Sequence, residues 1–372
     1  MENQNNQSKI NILKTIYLPI LISIGILFSI YSLLNYLIII KYKLIEPNVG
    51  LVKFFIPILL TVVLSYFYIR PKINFIVFKN GDKKGDLTYL FIFIIAIPFI
   101  IFQHYLDTKG GELTQVKHIY EIVSKPKTKY YQIEDFFLLR KFGSLWVSSD
   151  VTGRYGTELS VTASLVCPLV DTVFNYNKEE TWKVWFAKNY HKTFNYKKSE
   201  TMAGQNEINE FIDKSVMDFK LSDFSQEHFF SRISNSDERK NYVSAIERFP
   251  FGTKLSKEVV ILRQEKGDYN TRNGSSLFWF LGTFLLGQII VLFIILNHKL
   301  NKKSLLKYEK LNSSDKIKNA LGFLIFLVPN KKSYVTPILF DINIIVFLLM
   351  VFSGVSIIHP NTKELLNWGG II

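Results

Sequence analysis

Five stretches of the chain are almost wholly apolar and long enough to cross a lipid bilayer. A helix needs about 20 apolar residues to cross a hydrocarbon core of about 30 Å. We predict membrane helices at residues 16–40, 51–69, 87–106, 277–296 and 337–358. The second stretch is the shortest, Pro57 interrupts it, and Lys53 near its start can extend toward the lipid headgroups. The first should be a retained anchor, because it is too long for a signal peptide and no small-residue cleavage site follows it.

Between the third and fourth stretches, residues 107–275 have the mixed pattern of a folded globular domain. Partial alternation of β-branched and aromatic residues predicts strands within 144–151, 159–170, 181–194 and 257–264. Apolar residues at helical spacing predict helices within 205–219 and 239–249. The fold class is therefore a polytopic α-helical membrane protein, with about five transmembrane helices and an α+β domain inserted between the third and fourth.

Charge separates this domain from the rest of the chain. The formal net charge is +14, but residues 107–275 carry 25 Lys/Arg and 23 Asp/Glu, so the excess lies in the loops between apolar stretches. A nucleic-acid-binding protein would concentrate it on a folded domain. We therefore expect the lipid bilayer and membrane-protein clients as partners, and no nucleic acid; the oligomeric state is left open.

Basic loops mark the cytoplasmic side of membrane proteins. Residues 70–86 carry five Lys/Arg, and residues 297–335 carry nine Lys. This predicts a cytoplasmic N-terminus and places 107–275 outside. The predicted layout is a three-helix region at 1–106, the outer domain at 107–275, and the fourth helix with a basic linker at 276–335. The apolar run 320–329 in that linker either lies on the cytoplasmic leaflet or packs against the fifth helix.

Residue patterns typical of catalysis or metal binding are missing from the sequence. Cys167 is the only cysteine, which excludes a disulfide within the chain, and it is expected to be a small buried residue rather than a reactive thiol. His118, His191 and His228 are scattered, with no metal-binding spacing. No Gly-rich phosphate loop and no Gly-x-Ser-Gly motif occurs. No catalytic, cofactor-binding or metal-binding residue is therefore predicted.

The last predicted helix has a more specific sequence. It reads "YVTPILFDINIIVFLLMVFSGV" and is followed by His-Pro and "LLNWGG". This resembles the first core helix of bacterial rhomboid-family proteins, which enters from the cytoplasm and leads into a Leu- and Trp-bearing segment. The corresponding residues are Thr336, Pro337, Asn343, Phe347, Leu366, Trp368 and Gly369. Asp341, an acid inside the predicted span, is either functional or reaches interfacial water.

The resemblance implies an intramembrane serine protease in a bacterial cell membrane. Rhomboid proteases use a Gly-x-Ser-Gly serine and histidines on later core helices, and the given sequence reaches Ile372 before any such motif. Residues 336–372 are thus expected to be the start of a rhomboid-like core in a truncated protease that is inactive by itself. The alternatives are a non-enzymatic rhomboid-derived protein and an unrelated membrane-anchored sensor, whose outer domain contacts clients or lipid.

The first prediction concerns proteolysis. The purified 372-residue chain should not cleave a transmembrane model substrate and should not react with a serine-directed fluorophosphonate probe, because the motif that supplies the nucleophile is absent. A heat-denatured sample controls for non-specific labelling. Labelling that a single Ser→Ala change abolishes would contradict the prediction.

Overall fold

A computed structural model describes residues 12–77, 84–172, 182–222, 229–249, 259–300 and 335–352. The chain divides into two compact units. One comprises Met1–Gly110 and Asn273–Ile372, and the other comprises Gly111–Arg272. We call them the helical unit and the sheet domain, and number helices and strands along the chain.

Within the described residues, four helices are long and apolar enough to cross a membrane. They are α1 (Leu13–Lys41), α2 (Leu51–Ile73), α3 (Lys84–Gly110, apolar from Leu87) and α8 (Ser276–Leu296). Four of the predicted spans are therefore confirmed as apolar helices. The fifth predicted span is helical over its described residues, α9 (Val335–Phe352), whereas Leu366, Trp368, Gly369 and the run 320–329 lie outside the described residues. The number of spans and their direction stay predictions.

Local geometry explains why the weak second stretch still forms a helix. The regular α-helical part of α2 is Ile56–Leu64, and π-helical turns flank it on both sides. Pro57 stands at the start of this regular part, where its fixed φ suits a helix. The helix therefore accommodates Pro57 because the turn before it, Leu51–Phe55, has π-helical rather than α-helical hydrogen bonds.

The core of the helical unit is a cluster of Ile, Phe and Val side chains at every fourth position. Ile16, Ile20 and Ile24 of α1 are almost fully buried, as are Phe91 and Ile95 of α3. Side chains four residues apart share one face of a helix, so each helix presents a continuous stripe to its neighbours.

A buried polar cluster joins α1 to α3. Gln103 accepts a hydrogen bond from Asn35 Nδ2 at 2.8 Å and donates from Nε2 to Ser32 Oγ at 2.9 Å. All three residues are buried. Polar groups in an apolar interior are costly unless they are paired, so this cluster favours a single alignment of the two helices.

Two further contacts attach α2 to these helices. The Tyr31 hydroxyl donates to the Val52 carbonyl at 2.6 Å, and Lys53 Nζ lies 2.5 Å from Asp107 Oδ2. Lys53 therefore pairs with an acid inside the unit, a partner that the sequence-based expectation of a headgroup contact did not include.

Two short strands, β1 (Ile76–Val77) and β10 (Lys299–Leu300), pair antiparallel.

The sheet domain contains a mixed eight-stranded sheet. Its strands are β2 (Leu113–Val116), β3 (Tyr130–Ile133), β4 (Phe137–Leu138), β5 (Ser144–Thr152), β6 (Glu158–Val170), β7 (Val184–Asn195), β8 (Phe229–Arg232) and β9 (Val260–Gln264). Their order is β2-β3-β8-β9-β7-β6-β4, and β5 also pairs with β6. β2 is parallel to β3 and β7 to β9, whereas the other pairs are antiparallel.

Helices cover both faces of this sheet. They are α4 (Ile119–Ser124), α5 (Tyr196–Ser199), α6 (Met202–Leu221) and α7 (Asp237–Glu247). Leu165 and Cys167 of β6 share a buried cluster with Phe219 of α6, whereas Val166 between them packs with Tyr242 of α7. Side chains alternate across a strand, so β6 is buried on both faces and reads as a continuous apolar run. The predicted strands β5, β6, β7 and β9 and both predicted helices are confirmed.

The two ends of the sheet domain lie side by side. The Tyr269 hydroxyl donates to the carbonyl of Gly111 at 2.7 Å. The guanidinium of Arg272 lies 3.6 Å from the Tyr269 ring centroid, and Tyr130 packs edge-on against the same ring. The first and last residues of the domain are thereby joined through one aromatic side chain.

A pair of glycines in α8 provides a test of helix packing. A Cβ on Gly287 would lie 2.6 Å from Ile94 Cγ2, whereas a Cβ on Gly282 would meet nothing within 4 Å. Gly287→Ala should therefore destabilise the helical unit by about 1–3 kcal/mol through overpacking. Gly282→Ala, the matched control, should be neutral or slightly stabilising because alanine favours helix.

The measurement is equilibrium unfolding of the full chain in mixed SDS–detergent micelles, followed by far-ultraviolet circular dichroism. Equal unfolding midpoints for the two variants would contradict the close contact between α3 and α8.

Candidate metal centre

Three side chains from separate segments meet on the sheet domain. His118, Asp135 and Asp171 each offer a ligand atom, and these atoms all lie within 4.8 Å of one another. Among the described residues, this is a group whose donor types and spacing suit a metal ion.

Strand pairing brings His118 and Asp135 together. β2 ends at Val116 and β3 ends at Ile133, so each of the two residues lies two positions beyond its strand. Because β2 and β3 are parallel, their carboxyl ends reach the same edge of the sheet. Two residues separated by 17 positions in the chain therefore become neighbours.

Asp171 reaches the same place by antiparallel pairing. It is the first residue after β6, and Phe137 of β4 lies opposite Val170, the last residue of β6. Continuing this register places Asp135 opposite Thr172. The Thr172 hydroxyl indeed lies 2.6 and 2.7 Å from the two carboxylate oxygens of Asp135.

Hydrogen bonds fix the orientation of both carboxylates. Thr172 contacts both oxygens of Asp135, and the main-chain N–H of Ile119 donates to Asp171 Oδ1 at 2.6 Å. Each carboxylate oxygen has more than one lone-pair direction, so both acids keep acceptor capacity for an ion. Such supporting hydrogen bonds are typical of metal ligands, because they hold a ligand in place before the ion arrives.

His118 is held from its main chain. Its N–H donates to Glu121 Oε1 at 3.1 Å, and its Nδ1 lies 3.6 Å from Asp171 Oδ1. The ring of Tyr120 stacks on the imidazole with centroids 5.5 Å apart. The ammonium of Lys125, hydrogen-bonded to Glu121, keeps the pKa of that carboxyl below its usual value. Glu121 is therefore occupied by its hydrogen bonds to the His118 main chain and to Lys125, so the carboxylates beside the imidazole are those of Asp135 and Asp171.

The donor set indicates which ion would fit. One imidazole nitrogen and two carboxylate oxygens are a mixed set, whereas Ca²⁺ and Mg²⁺ prefer oxygen alone. Zinc binds both donor types at about 2.0–2.2 Å, and three protein ligands leave its fourth position to water. Ligation at these distances would draw the three atoms to about 3.4 Å from one another. The side chain of His118 is 47% exposed and that of Asp171 26%, so an ion can reach them from solution.

The residues that carry the rhomboid resemblance lie elsewhere. Thr336, Pro337 and Asp341 are part of α9. Asn343 and Phe347 are also part of α9, four residues apart, and the side chains of both are exposed. The Phe347 ring centroid lies 6.1 Å from that of Phe55. These residues belong to the helical unit, and none of them is among the three ligand residues that meet at His118.

The sequence-based prediction assigned no metal ligand, and the reason is topological. Intervals of 17 and 36 residues between His118, Asp135 and Asp171 match no local motif. A usable signal was the position of each residue one or two places beyond a strand. Two of those strands, β2 and β3, have only four residues each and were not predicted as separate elements.

Comparison with protein-family models, curated proteins and solved structures finds no match to this chain. The relationship to the rhomboid family stays a prediction.

Cys167 provides a test of the core beside the candidate site. It is fully buried in β6, and burial raises the pKa of its thiol to about 12. The thiolate is the reactive form, so maleimide should not label the folded chain at pH 8, and labelling should begin only when denaturant opens the sheet domain. A Cys167→Ser chain gives the background. Rapid labelling without denaturant would contradict the buried position.

Proposed function

We propose that this protein is a multi-pass membrane protein whose sheet domain binds a divalent cation, with zinc as the ion that the donor set fits best. In this proposal it acts as a membrane-anchored binding or sensor protein. The observation that supports the proposal is the convergence of His118, Asp135 and Asp171 within 4.8 Å. Hydrogen bonds to both carboxylates add to it, since they position the acids in advance.

A cation at this position would add a direct link between three segments that strand pairing and hydrogen bonds already bring together. It would bridge the end of β2, the connection between β3 and β4, and the residue after β6. Binding energy for the folded state adds directly to its stability. The edge of the sheet should therefore be more rigid with the ion than without it, which is a change that a partner protein can recognise.

The proposed location is a bacterial cell membrane, with the N-terminus in the cytoplasm and the sheet domain outside. The support for this orientation is the basic character of residues 70–86 and 297–335. In this arrangement the cation is drawn from the extracytoplasmic solution. Clients would be other membrane proteins or proteins at the membrane surface.

A second proposal keeps the likeness of α9 to the first core helix of a rhomboid protease. Thr336, Pro337, Asn343 and Phe347 support it because they lie on one apolar helix at the spacing of that family. In that case the sheet domain would be an accessory binding domain. Both proposals predict an unreactive chain in the fluorophosphonate experiment, so the separating test is the coding DNA beyond the codon for Ile372. A Gly-x-Ser-Gly motif there, in frame or shifted by one base, would support the protease, and its absence would support the binding protein.

Zinc binding is tested on the full chain in detergent. At a zinc concentration of 100 times the dissociation constant, one site stabilises the folded state by about 2.7 kcal/mol. For a domain of this size the melting temperature should rise by about 5–10 °C. Intrinsic fluorescence can follow the melt, because Trp146, Trp182 and Trp185 all belong to the sheet domain. Calorimetric titration should give one zinc per chain.

His118→Ala and Asp171→Asn should each remove the zinc-induced shift. His191→Ala is the matched control, because His191 is another exposed histidine of the same domain and lies beside Thr162, away from the cluster. A shift that persists in His118→Ala, or that disappears equally in His191→Ala, would overturn the proposal. The absence of a zinc-induced shift in the unaltered chain would overturn it as well.

A further inference from the structure

An apolar groove runs between α1 and α2 in the helical unit. It encloses about 800 Å³, within the usual range of small-molecule sites. On α1 its wall consists of two adjacent stripes, every fourth residue from Leu18 to Leu34 and every fourth residue from Pro19 to Tyr31, and on α2 of every fourth residue from Ile56 to Tyr68. The residues of the stripe from Leu18 to Leu34 are about half exposed, so the described part of the helical unit leaves this stripe largely uncovered.

The Leu18 stripe of α1 and the stripe of α2 both end in a lysine. Lys14 lies four residues before Leu18, and Lys72 lies four residues after Tyr68. Tyr31 donates to the Val52 carbonyl, which brings the second half of α1 beside the start of α2. The helices therefore run antiparallel, and the two lysines belong to the same end of the groove.

The charged residues at this end of the groove are basic, and α1 and α2 contain no acidic residue that could neutralise them. Neither residues 13–41 nor residues 51–73 contain an Asp or Glu. Lys14 is exposed, and Lys72 Nζ lies 4.7 Å from the centroid of the Tyr68 ring, which lines the groove. Arg70 adds a third, exposed cation two residues away.

We propose that this groove binds one anionic phospholipid, with an acyl chain along the apolar stripes and the phosphate between Lys14 and Lys72. Basic residues at the end of an intramembrane cleft are the usual recognition elements for anionic headgroups. From Leu18 to Leu34 the wall is about 24 Å long, which exceeds the roughly 15 Å of one leaflet and accommodates a whole chain. This lipid site is independent of the cation site in the sheet domain.

The shape of the wall favours a lipid over another membrane helix. Helices pack in membranes through small residues that allow close backbone approach. The exposed positions of the α1 stripe are Leu18, Ile22, Ile26, Ile30 and Leu34, all of them bulky. A flexible acyl chain can follow such a surface, whereas a rigid helix would be held away from it.

The experiment compares two lipids with identical acyl chains, phosphatidylglycerol and phosphatidylcholine, added to the delipidated full chain and counted by native mass spectrometry. We expect one tightly bound phosphatidylglycerol. Lys14→Gln with Lys72→Gln should lower its affinity roughly 25-fold, since each surface cation contributes roughly fivefold. Phosphatidylcholine should lose much less, because its choline cation offsets the charge of its phosphate. If the double variant fails to fold, either single variant should show the fivefold loss.

Two controls separate charge from shape. Lys41→Gln with Lys109→Gln removes the same charge from other helix ends and should leave phosphatidylglycerol binding unchanged. Ile26→Trp fills the groove and should weaken both lipids. Equal binding of the two lipids by the unaltered chain, or equal losses in both lysine pairs, would overturn the proposal. So would efficient crosslinking of Ile26→Cys chains to each other in a Cys167→Ser background, because the groove would then hold a second copy.

Discussion

The antiparallel pairing of β6 with β7 is the interaction on which the sheet domain depends. It runs from Glu158 opposite Asn195 to Pro168 opposite Trp185. Residues 163–170 are all buried, and buried peptide groups must find hydrogen-bond partners. Pro168 has no N–H to donate, and it lies where the partner on the other edge of β6 changes from β5 to β4. That change of partner places Asp171 beside Asp135, so the candidate metal centre follows from the way the central strand satisfies its own backbone.

The helical unit depends on a different constraint. Its helices share an apolar interior in which polar groups are few and therefore decisive. Ser32, Asn35 and Gln103 satisfy one another there, and removal of one partner would leave the others unpaired at a cost of about 1–3 kcal/mol. Apolar stripes can slide by a turn with little loss, whereas this cluster pairs in one register. The same apolar character leaves the outer stripes of α1 and α2 exposed, where lipid is the natural solvent.

The sequence allowed much of the architecture to be predicted, because hydropathy over 20 residues and β-branched or aromatic runs of 8 to 14 residues are strong local signals. Helices α1, α2, α3 and α8 and strands β5, β6, β7 and β9 follow from them. The four-residue strands β2, β3 and β8 carry too few residues for a periodic signal. The His118 cluster depends on the parallel pairing of two of these short strands, so the residues alone could not reveal it. The groove is different, since Lys14, Leu18 and Ile22 already show its four-residue spacing.

The hydrogen bond from Tyr269 to Gly111 has a consequence for the helical unit as well. An insertion between two helices normally penalises their association, because the intervening chain must close a loop whose entropy cost grows with its length. Here the folded sheet domain already brings its own two ends together through Tyr269 and Tyr130. For the helices on either side, the entropy cost of closing this loop is therefore close to that of a very short connection, although the inserted polypeptide is long. Their assembly is largely insensitive to how many residues the inserted domain contains.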